Sequence, residues 1–383
     1  MKIALIRKKY TYHGGAESFS QGLLDQLVLQ GHEVHIHAIS WEGITPGRGI
    51  YFHRVPAVTG NSFFRDLTFA LASGRQVSKG QYDIIQSHDK TLHQDIYRAG
   101  DGCHSEWLRQ RWRRTGIAGR LSMLFNPYHW LILSLERSIF RKHRYRKIIA
   151  ISDLVKRNIM EHYHVPAEDI VVIYNGIDLD RFHPGNRERF RDEVRRQYEI
   201  PETARVFLFV GSGFERKGVR YLVEAAEMLD APVTLLIVGK GSGEKFRNII
   251  NRQRVIFCGP QKKIERYYAA ADAFVFPTIY EPFGNVHLEA LASGLPVVTT
   301  RNSGASEVIE EGKGGFVVQE PEDRAAISGS MKKLLDADLL HAMGEEARKT
   351  AEKFTTERFV REITQLYSDI MEEKRACQRS SST

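Results

Sequence analysis

A chain of 383 residues is too long for one hydrophobic core and predicts two domains of about 150–200 residues each. Its 42% hydrophobic and 27% charged residues are the balance of a soluble globular protein. Cys103, Cys258 and Cys377 are too few and too scattered for a disulfide framework or a zinc site and point to a reducing cytoplasm. No run approaches the ~18 apolar residues of a membrane span.

The N-terminal MKIALIRKKY holds a short apolar run and reads as a first strand over 2–6, not as a signal peptide. The loop RKKYTYHGG follows. A helix is predicted from about Ala16 to Gln30, with Leu23, Leu24, Leu27 and Val28 on one face. Gly31 ends it, and 33–39 is the next strand. Strands are also expected at 82–86 and 147–151, the latter followed by a helix capped by Ser152. The segment IVVIYNGIDLDRFHP (170–184) is a strand and then a Gly-, Asp- and Pro-rich exit, the best candidate for a domain boundary.

A second α/β half begins at Val206. VFLFVGSG (206–213) and VTLLIVGKGSG (233–243) each read as strand plus glycine turn, with a helix over 217–229 between them. A strand at 255–259 and a helix at 263–272 lead to the stretch that organises the rest, FVFPTIYEPFGNVHLEALASGLPVVTT (274–300). Strand, loop, helix over Asn285–Ala292, glycine turn and strand make a parallel βαβ unit, which binds ligands at the carboxyl ends of its strands. The loop brings backbone N–H groups to a helix start, a seat for phosphate. Glu281 stands before that helix and Glu289 one turn inside it, an arrangement suited to a polyhydroxylated ligand. Residues 321–372 read as mostly helical.

In GSGFERKG (211–218), Arg216 and Lys217 fall at a helix start, where two cations and N–H groups could neutralise a diphosphate. The plain alternative is a pair of solvated loop charges. Position 216 breaks the GxGxxG fingerprint, which disfavours an NAD site. In the first half, His13-Gly14-Gly15-Ala16-Glu17 is the equivalent turn; taken alone it is more often a tight turn without a ligand. YRAGDGCHSEW (97–107) reads as a glycine-flanked loop in which Asp101 could hold a sugar or orient a hydroxyl, or merely stabilise its turn. His104, His88 and His93 are more often bystanders than bases. No HExxH or CxxC spacing indicates a metal site.

The charge of +8 is local: residues 104–147 hold eleven Lys or Arg against Glu106 and Glu136. Arg109, Arg111, Arg113 and Arg114 alternate with Trp107, Leu108 and Trp112, and MLF (123–125), Tyr128 and WLILSL (130–135) follow. Cations beside Trp and Leu suit an anionic membrane interface. A solvated helix packed on the first domain is the other reading; no nucleic-acid motif accompanies the charges.

Taken together, GGAES (14–18), NGID…RF (175–182), GSGFERKG and the two glutamates of EPFGNVHLE (281–289) resemble the retaining glycosyltransferases of family 4. FERKG and AGDGCHSEW are most similar to bacterial lipopolysaccharide core glucosyltransferases, although Glu17 follows the commoner family pattern where those enzymes carry an aspartate. The resemblance implies an α/β GT-B fold, two doubly wound Rossmann-like domains facing across a cleft. It places an acceptor-side domain at 1–180, a nucleotide-sugar domain at 181–355, a helix at 356–372 crossing back to the first, and a disordered tail at 373–383. It implies that Glu289 holds the donor ribose, Arg216 and Lys217 the diphosphate, and Glu281 the transferred sugar. Gly14, Gly15, Gly213, Gly284, Asn285 and Val286 would contact the donor, with Asp101 near the sugar and acceptor. No cofactor or metal is implied. The donor would be UDP-glucose, the acceptor a lipid-anchored glycan such as an inner-core heptose, and the location the cytoplasmic face of the bacterial inner membrane, with 104–147 on the anionic surface and no nucleic acid as partner. The alternatives are another family 4 hexosyl or mannosyl transferase, an epimerase or phosphorylase on the same fold, and a non-catalytic protein binding anionic membrane.

Overall fold

The computed structural model describes residues 1–11, 23–42, 47 and 49–380. The chain forms two compact units, Met1–Asn175 with the C-terminal segment from Thr356, and Gly176–Thr355. Residues 176–180 therefore belong to the second unit and not the first: the Ile177 N–H donates to the Phe354 carbonyl at 2.8 Å.

The first unit is built on strands β1 (Lys2–Ile6), β2 (Lys9–Thr11), β3 (Glu33–Ala38), β4 (Ser40–Glu42), β5 (Ile50–Arg54), β6 (Ile84–Ser87), β7 (Ile96–Ala99), β8 (Lys147–Ala150) and β9 (Ile170–Val172). Seven of them form one parallel sheet in the order β5-β3-β1-β6-β7-β8-β9, and β2 pairs with β4 apart from it. The chain winds outward from β1 through β3 to β5, returns to the other side of β1 as β6, and winds the opposite way. The reversal between β1 and β6 is the topological switch point, where doubly wound sheets take their ligands.

Helix α1, described over 23–29, buries Leu23, Leu24 and Leu27 against this sheet. The others are α2 (Ser62–Val77), α3 (His104–Arg113), α4 (Ile117–Leu124), α5 (Pro127–Phe140) and α6 (Asp153–Tyr163). The segment 97–107 is a loop only over residues 100–103, where Asp101 sits between Gly100 and Gly102; Ile96–Ala99 is a strand and His104 opens a helix.

The second unit repeats the plan. After α7 (Asn186–Gln197) come β10 (Arg205–Val210), α8 (Val219–Glu227), β11 (Val233–Val238), β12 (Arg254–Gly259), α9 (Glu265–Ala270), β13 (Ala273–Phe276), α10 (Asn285–Ala292), β14 (Val297–Thr300), β15 (Gly315–Val318), α11 (Arg324–Lys333) and α12 (Ala337–Ala351). Its parallel sheet has the order β12-β11-β10-β13-β14-β15, with the switch point between β10 and β13. RVFLFV and VTLLIV are buried along nearly their whole length, as parallel strands covered on both faces require.

Helix α7 is fastened by charge. Arg187, Arg191 and Arg195, one turn apart on one face, all reach the Asp272 carboxylate at 3.4, 2.9 and 3.1 Å. Asp272 also accepts the Val206 N–H at 2.8 Å, pinning helix to sheet. Burial opposes ionisation of Asp272, but Arg191, the Val206 N–H and Arg195 outweigh it and hold its pKa below the usual carboxylate value. Asp272→Ala is expected to lower stability by about 3 kcal/mol because it strands the buried Arg195 guanidinium; thermal unfolding measures this. The depressed pKa also means that the Asp272 contribution is present above the ordinary aspartate pKa and is lost as pH falls through the folded value.

Helix α13 (Thr356–Ser380) packs on the first unit, where Phe359, Val360, Ile363, Leu366, Tyr367 and Ile370 join the core of β1, β3 and α1. It corrects the expectation of a disordered tail from 373, since it stays helical through Ser380. Lys374 anchors that end, its Nζ donating to the Asp83 carbonyl at 2.7 Å and to the Asp95 carboxylate at 2.8 Å. Among the described residues no helix is long and apolar enough to cross a membrane.

Candidate active site

In the second unit the predicted residues gather at the carboxyl ends of β10 and β13, the two strands flanking the switch point. The loop after β10 crosses the end of β13 so closely that a Cβ on Gly218 (φ +83°) would lie 1.8 Å from the Pro277 carbonyl oxygen, so this position needs glycine. The approach lets the Ile279 N–H donate to the Arg216 carbonyl at 3.0 Å. The Arg216 guanidinium in turn donates to the Tyr280 carbonyl at 2.9 Å. Glu281 Oε2 stands 3.3 Å from Arg216 Nη1 and 3.6 Å from Lys217 Nζ. Lys217 also lies over the Phe276 ring, 5.4 Å from its centre. Two cations facing one carboxylate leave a net positive corner, and helix α10, with its N–H groups, begins four residues beyond Glu281.

Gly284, at φ +85°, turns the chain into α10; a Cβ there would meet His287 Nδ1 at 2.8 Å and Glu281 Cγ at 2.9 Å. His287 is fully buried, with Nδ1 2.8 Å from the Gly284 carbonyl and Nε2 2.9 Å from Thr299 Oγ1. Burial pushes its pKa down to about 4, so the ring is neutral. Nδ1–H then donates to Gly284, and the unprotonated Nε2 faces the Thr299 hydroxyl, which also lies 3.0 Å from the Phe276 carbonyl. His287 thereby ties the loop ahead of α10 to β14.

Glu289 is only 2% exposed and accepts a hydrogen bond from the Tyr268 hydroxyl at 2.8 Å. Burial raises its pKa, against the opposing pull of Tyr268, Arg181 and Lys217. Of the residues predicted in this unit, Glu281, Arg216 and Lys217 meet in direct contact, with Gly284, Asn285 and Val286 at the adjoining helix start. Gly213 lies in the same β10–α8 loop at φ +80°. Gly14 and Gly15 fall outside the described residues.

Asp101 lies in the first unit, on a cavity of about 130 Å³ that it shares with Lys8, Asp66, Phe69, Asp89, Lys90, His104, Tyr128, Ile132 and Leu135. Lys8 follows β1, and Asp89 and Lys90 follow β6, so this cavity also sits at a switch point. Lys8 Nζ is 3.0 Å from Asp66 and 3.1 Å from Asp89, and the Tyr128 hydroxyl donates to Asp66 at 3.0 Å. Burial disfavours the Lys90 ammonium, but Tyr97, Glu136, Asp101 and Asp89 outweigh it and keep it charged. His104 is 3.1 Å from His129, and burial together with Lys90 brings its pKa down to about 3, so it is neutral here. His88 lies 2.7 Å from Gln86, and burial with Arg98 and Arg7 keeps it neutral too.

Sequence reasoning missed Tyr268, which donates to Glu289, His287, which ties the loop ahead of α10 to β14, and Lys8, Asp66, Asp89, Lys90 and Tyr128 around the cavity. Position at a strand's carboxyl end could have marked Lys8, Asp89 and Lys90; nothing local marks Asp66 or Tyr128. Among the described residues no group of three or more His, Cys, Asp or Glu side chains is placed to hold a metal ion.

Two parallel doubly wound units, each with polar groups at its switch point, are the frame of a GT-B glycosyltransferase, and two family models divide the chain accordingly: Glycosyltransferase Family 4 over residues 13–181 and Glycosyl transferases group 1 over 190–350. The chain belongs to the family 4 glycosyltransferases and is an enzyme of that class. It is 27% identical to the lipopolysaccharide glucosyltransferase WaaG of Escherichia coli (strain K12) over 361 residues, 92% of this chain and 94% of the relative. The crystal structure of WaaG, a glycosyltransferase involved in lipopolysaccharide biosynthesis, superposes with a TM-score of 0.80 at 26% identity, covering 95% of this chain and 99% of the other. A D-inositol 3-phosphate glycosyltransferase of Corynebacterium urealyticum is 32% identical over 242 residues, 58% of this chain and 56% of that protein.

Proposed function

We propose that the protein is a retaining, metal-independent hexosyltransferase that moves glucose from UDP-glucose to an inner-core heptose of lipopolysaccharide or a similar membrane-anchored glycan. The observation that carries this reading is the convergence of Arg216 and Lys217 on Glu281 beside the start of α10. Cleaving a sugar–phosphate bond leaves negative charge on the diphosphate and positive charge on the anomeric carbon. Arg216, Lys217 and the N–H groups of α10 stabilise the first where it develops, and supply the charge a divalent ion would otherwise bring. Glu281 takes the sugar hydroxyls and Glu289 the ribose. The Glu281 carboxylate is shared by two cations and is therefore a weak nucleophile, which favours same-face substitution without a covalent sugar. The leaving phosphate takes the proton of the attacking hydroxyl.

The likeness to the E. coli lipopolysaccharide glucosyltransferase supports the choice of sugar and acceptor. The test is transfer from a panel of nucleotide sugars to heptose-terminated core acceptor, with product stereochemistry read by NMR. Inverted product, or no turnover of UDP-glucose with or without acceptor, would overturn it.

A membrane-facing surface belongs to the same reading. Part of the basic stretch is used internally: Arg109 pairs with Glu106 at 2.7 Å, Arg146 with Asp95 at 3.4 Å, and Lys147 donates to the Glu168 carbonyl at 3.0 Å. The apolar residues divide as well. Met123, Ile132, Leu135, Ile139 and Phe140 are buried, whereas Ile117, Phe125 and Trp130 are 77%, 79% and 65% exposed, with Trp112, Leu121 and Leu124 also exposed. Exposed apolar side chains flanked by Arg111, Arg113 and Arg120 suit an anionic lipid interface, and hence a peripheral position on the cytoplasmic face of the inner membrane. Replacing Arg111, Arg113 and Arg114 together by serine is expected to weaken binding to anionic vesicles by on the order of a hundredfold at low salt, with the difference shrinking as salt rises. Vesicle co-sedimentation measures it.

A further inference from the structure

We propose that His287 is a positioning residue of the donor site: by holding the Gly284 carbonyl it turns the Asn285 N–H toward the phosphate next to the transferred sugar. The inference rests on the sugar-transferase reading above and adds to it a residue that itself touches no substrate.

The imidazole is locked in place. It is fully buried and stands edge-on to Phe276 and Phe274, with centroids 4.9 and 5.7 Å away and planes crossing at 74° and 79°. Thr299 Oγ1, on β14, lies 2.9 Å from Nε2. These neighbours fix the ring with Nδ1 2.8 Å from the Gly284 carbonyl oxygen. A carbonyl only accepts, so this nitrogen carries a proton and donates it. The His287 backbone N–H reaches the same oxygen at 3.0 Å. Two donors from one residue therefore hold one carbonyl.

A peptide unit is planar and trans, with its C=O and N–H on opposite edges. Holding the Gly284 carbonyl against the buried imidazole therefore directs the Asn285 N–H away from it. Gly284, at φ +85°, has the backbone freedom to let that plane rotate, so the carbonyl needs an anchor. A Cβ there would stand 2.8 Å from Nδ1, so the imidazole sits where glycine alone leaves it room. The order of groups assigns the phosphate. Glu289, proposed for the ribose, lies in the second turn of α10, and Glu281, proposed for the sugar, precedes the helix. The diphosphate runs between them, and Asn285 opens the helix on the Glu281 side. The Phe276 ring that meets His287 also lies under Lys217 Nζ, 5.4 Å from its centre, so N–H and cation are set against one ring.

The experiment compares UDP with UMP, which lacks the sugar-side phosphate, as ligands of the full chain by calorimetry. Turnover of UDP-glucose with heptose-terminated core acceptor is measured beside it. His287→Leu nearly keeps the volume and removes both ring contacts. It should weaken UDP by about tenfold, the loss of a hydrogen bond to a charged group, and leave UMP unchanged. It should lower kcat by on the order of a hundredfold, because charge on that phosphate grows as the bond breaks. The amide of His287→Asn ends where Nδ1 stands and can donate to Gly284; that of His287→Gln reaches the Nε2 position and misses it. Asparagine should restore the UDP-to-UMP affinity ratio and most of kcat, and glutamine should not. The phosphorus NMR signal of the outer phosphate of bound UDP should shift with leucine and glutamine and return with asparagine. Should the leucine variant fail to fold, the asparagine–glutamine pair decides. If another nucleoside diphosphate binds in place of UDP, its monophosphate replaces UMP. A ratio unmoved across the variants, or UMP weakened as much as UDP, overturns the proposal and leaves the donor reading standing. Wild-type protein that binds no nucleotide removes both.

Discussion

Alanine at Glu281 is expected to slow sugar transfer by about two to three orders of magnitude while leaving UDP affinity unchanged or tighter. The carboxylate stands 3.3 Å from Arg216 and 3.6 Å from Lys217, so its removal frees two cations for the diphosphate and takes away the group proposed to hold the sugar hydroxyls. Glu289→Ala should behave in the opposite way. That carboxylate is buried and bonded to Tyr268, and the two ribose hydroxyls proposed to donate to it would be worth about 2–3 kcal/mol, or roughly thirty- to a hundred-and-fiftyfold in Kd. Calorimetric titration of UDP separates the two variants, and equal losses in both would refute the division of roles. Acidification tests the same point. Burial raises the Glu289 pKa, so its proton returns at a higher pH than on an ordinary glutamate. Protonation removes the acceptor proposed for the ribose, hence UDP affinity should fall on acidification from that higher pH, and Glu289→Gln should flatten the profile.

Why the sequence revealed this corner and concealed others follows from the kinds of contact involved. Ala273–Phe276, Asn285–Ala292 and Val297–Thr300 are read almost to the residue because strand, glycine loop, helix and strand succeed one another within one continuous segment. Each boundary is marked by a local signal, such as Gly284 at φ +85° and Gly294 at φ +72°. Helix α7 shows the reverse. NRERFRDEVRRQ carries almost no apolar stripe, so hydrophobic periodicity does not register it. It is held to the sheet by arginines at i, i+4 and i+8 bound to Asp272, 77 to 85 residues away. Strand β7 was hidden similarly, because Arg98 interrupts a four-residue run; it is buried and donates to Asn175 at 2.5 Å. The first-unit cavity combines side chains from segments as far apart as Lys8 and Leu135, so no window of sequence contains it. The end of α13 is not legible locally, because RACQRSSST has the composition of a solvated end, whereas Lys374 just before it is tied to Asp83 and Asp95.

Loss of Lys217 should be the second severe lesion, and its character distinguishes chemistry from binding. The Arg216 guanidinium is held by the Tyr280 carbonyl, while the Lys217 ammonium rests over the Phe276 ring as a compact point charge. Negative charge on the departing diphosphate grows as the glycosyl bond breaks, so a cation placed there contributes more to the transition state than to the bound donor. Lys217→Ala should therefore lower kcat by about two to three orders of magnitude and raise the donor KM by less. Lys217→Arg should not restore the rate: the Lys217 chain lies so close to the β10–α8 loop that a Cβ at Gly211 would stand 2.9 Å from its Cδ, leaving no room for a planar fork. The double variant with Glu281→Ala supplies the sharpest check. Groups 3.6 Å apart that act as one unit are not additive, so the double variant should be much less impaired than the product of the two single losses. Full additivity would mean that lysine and glutamate serve separate steps, and would remove the ion pair from the mechanism.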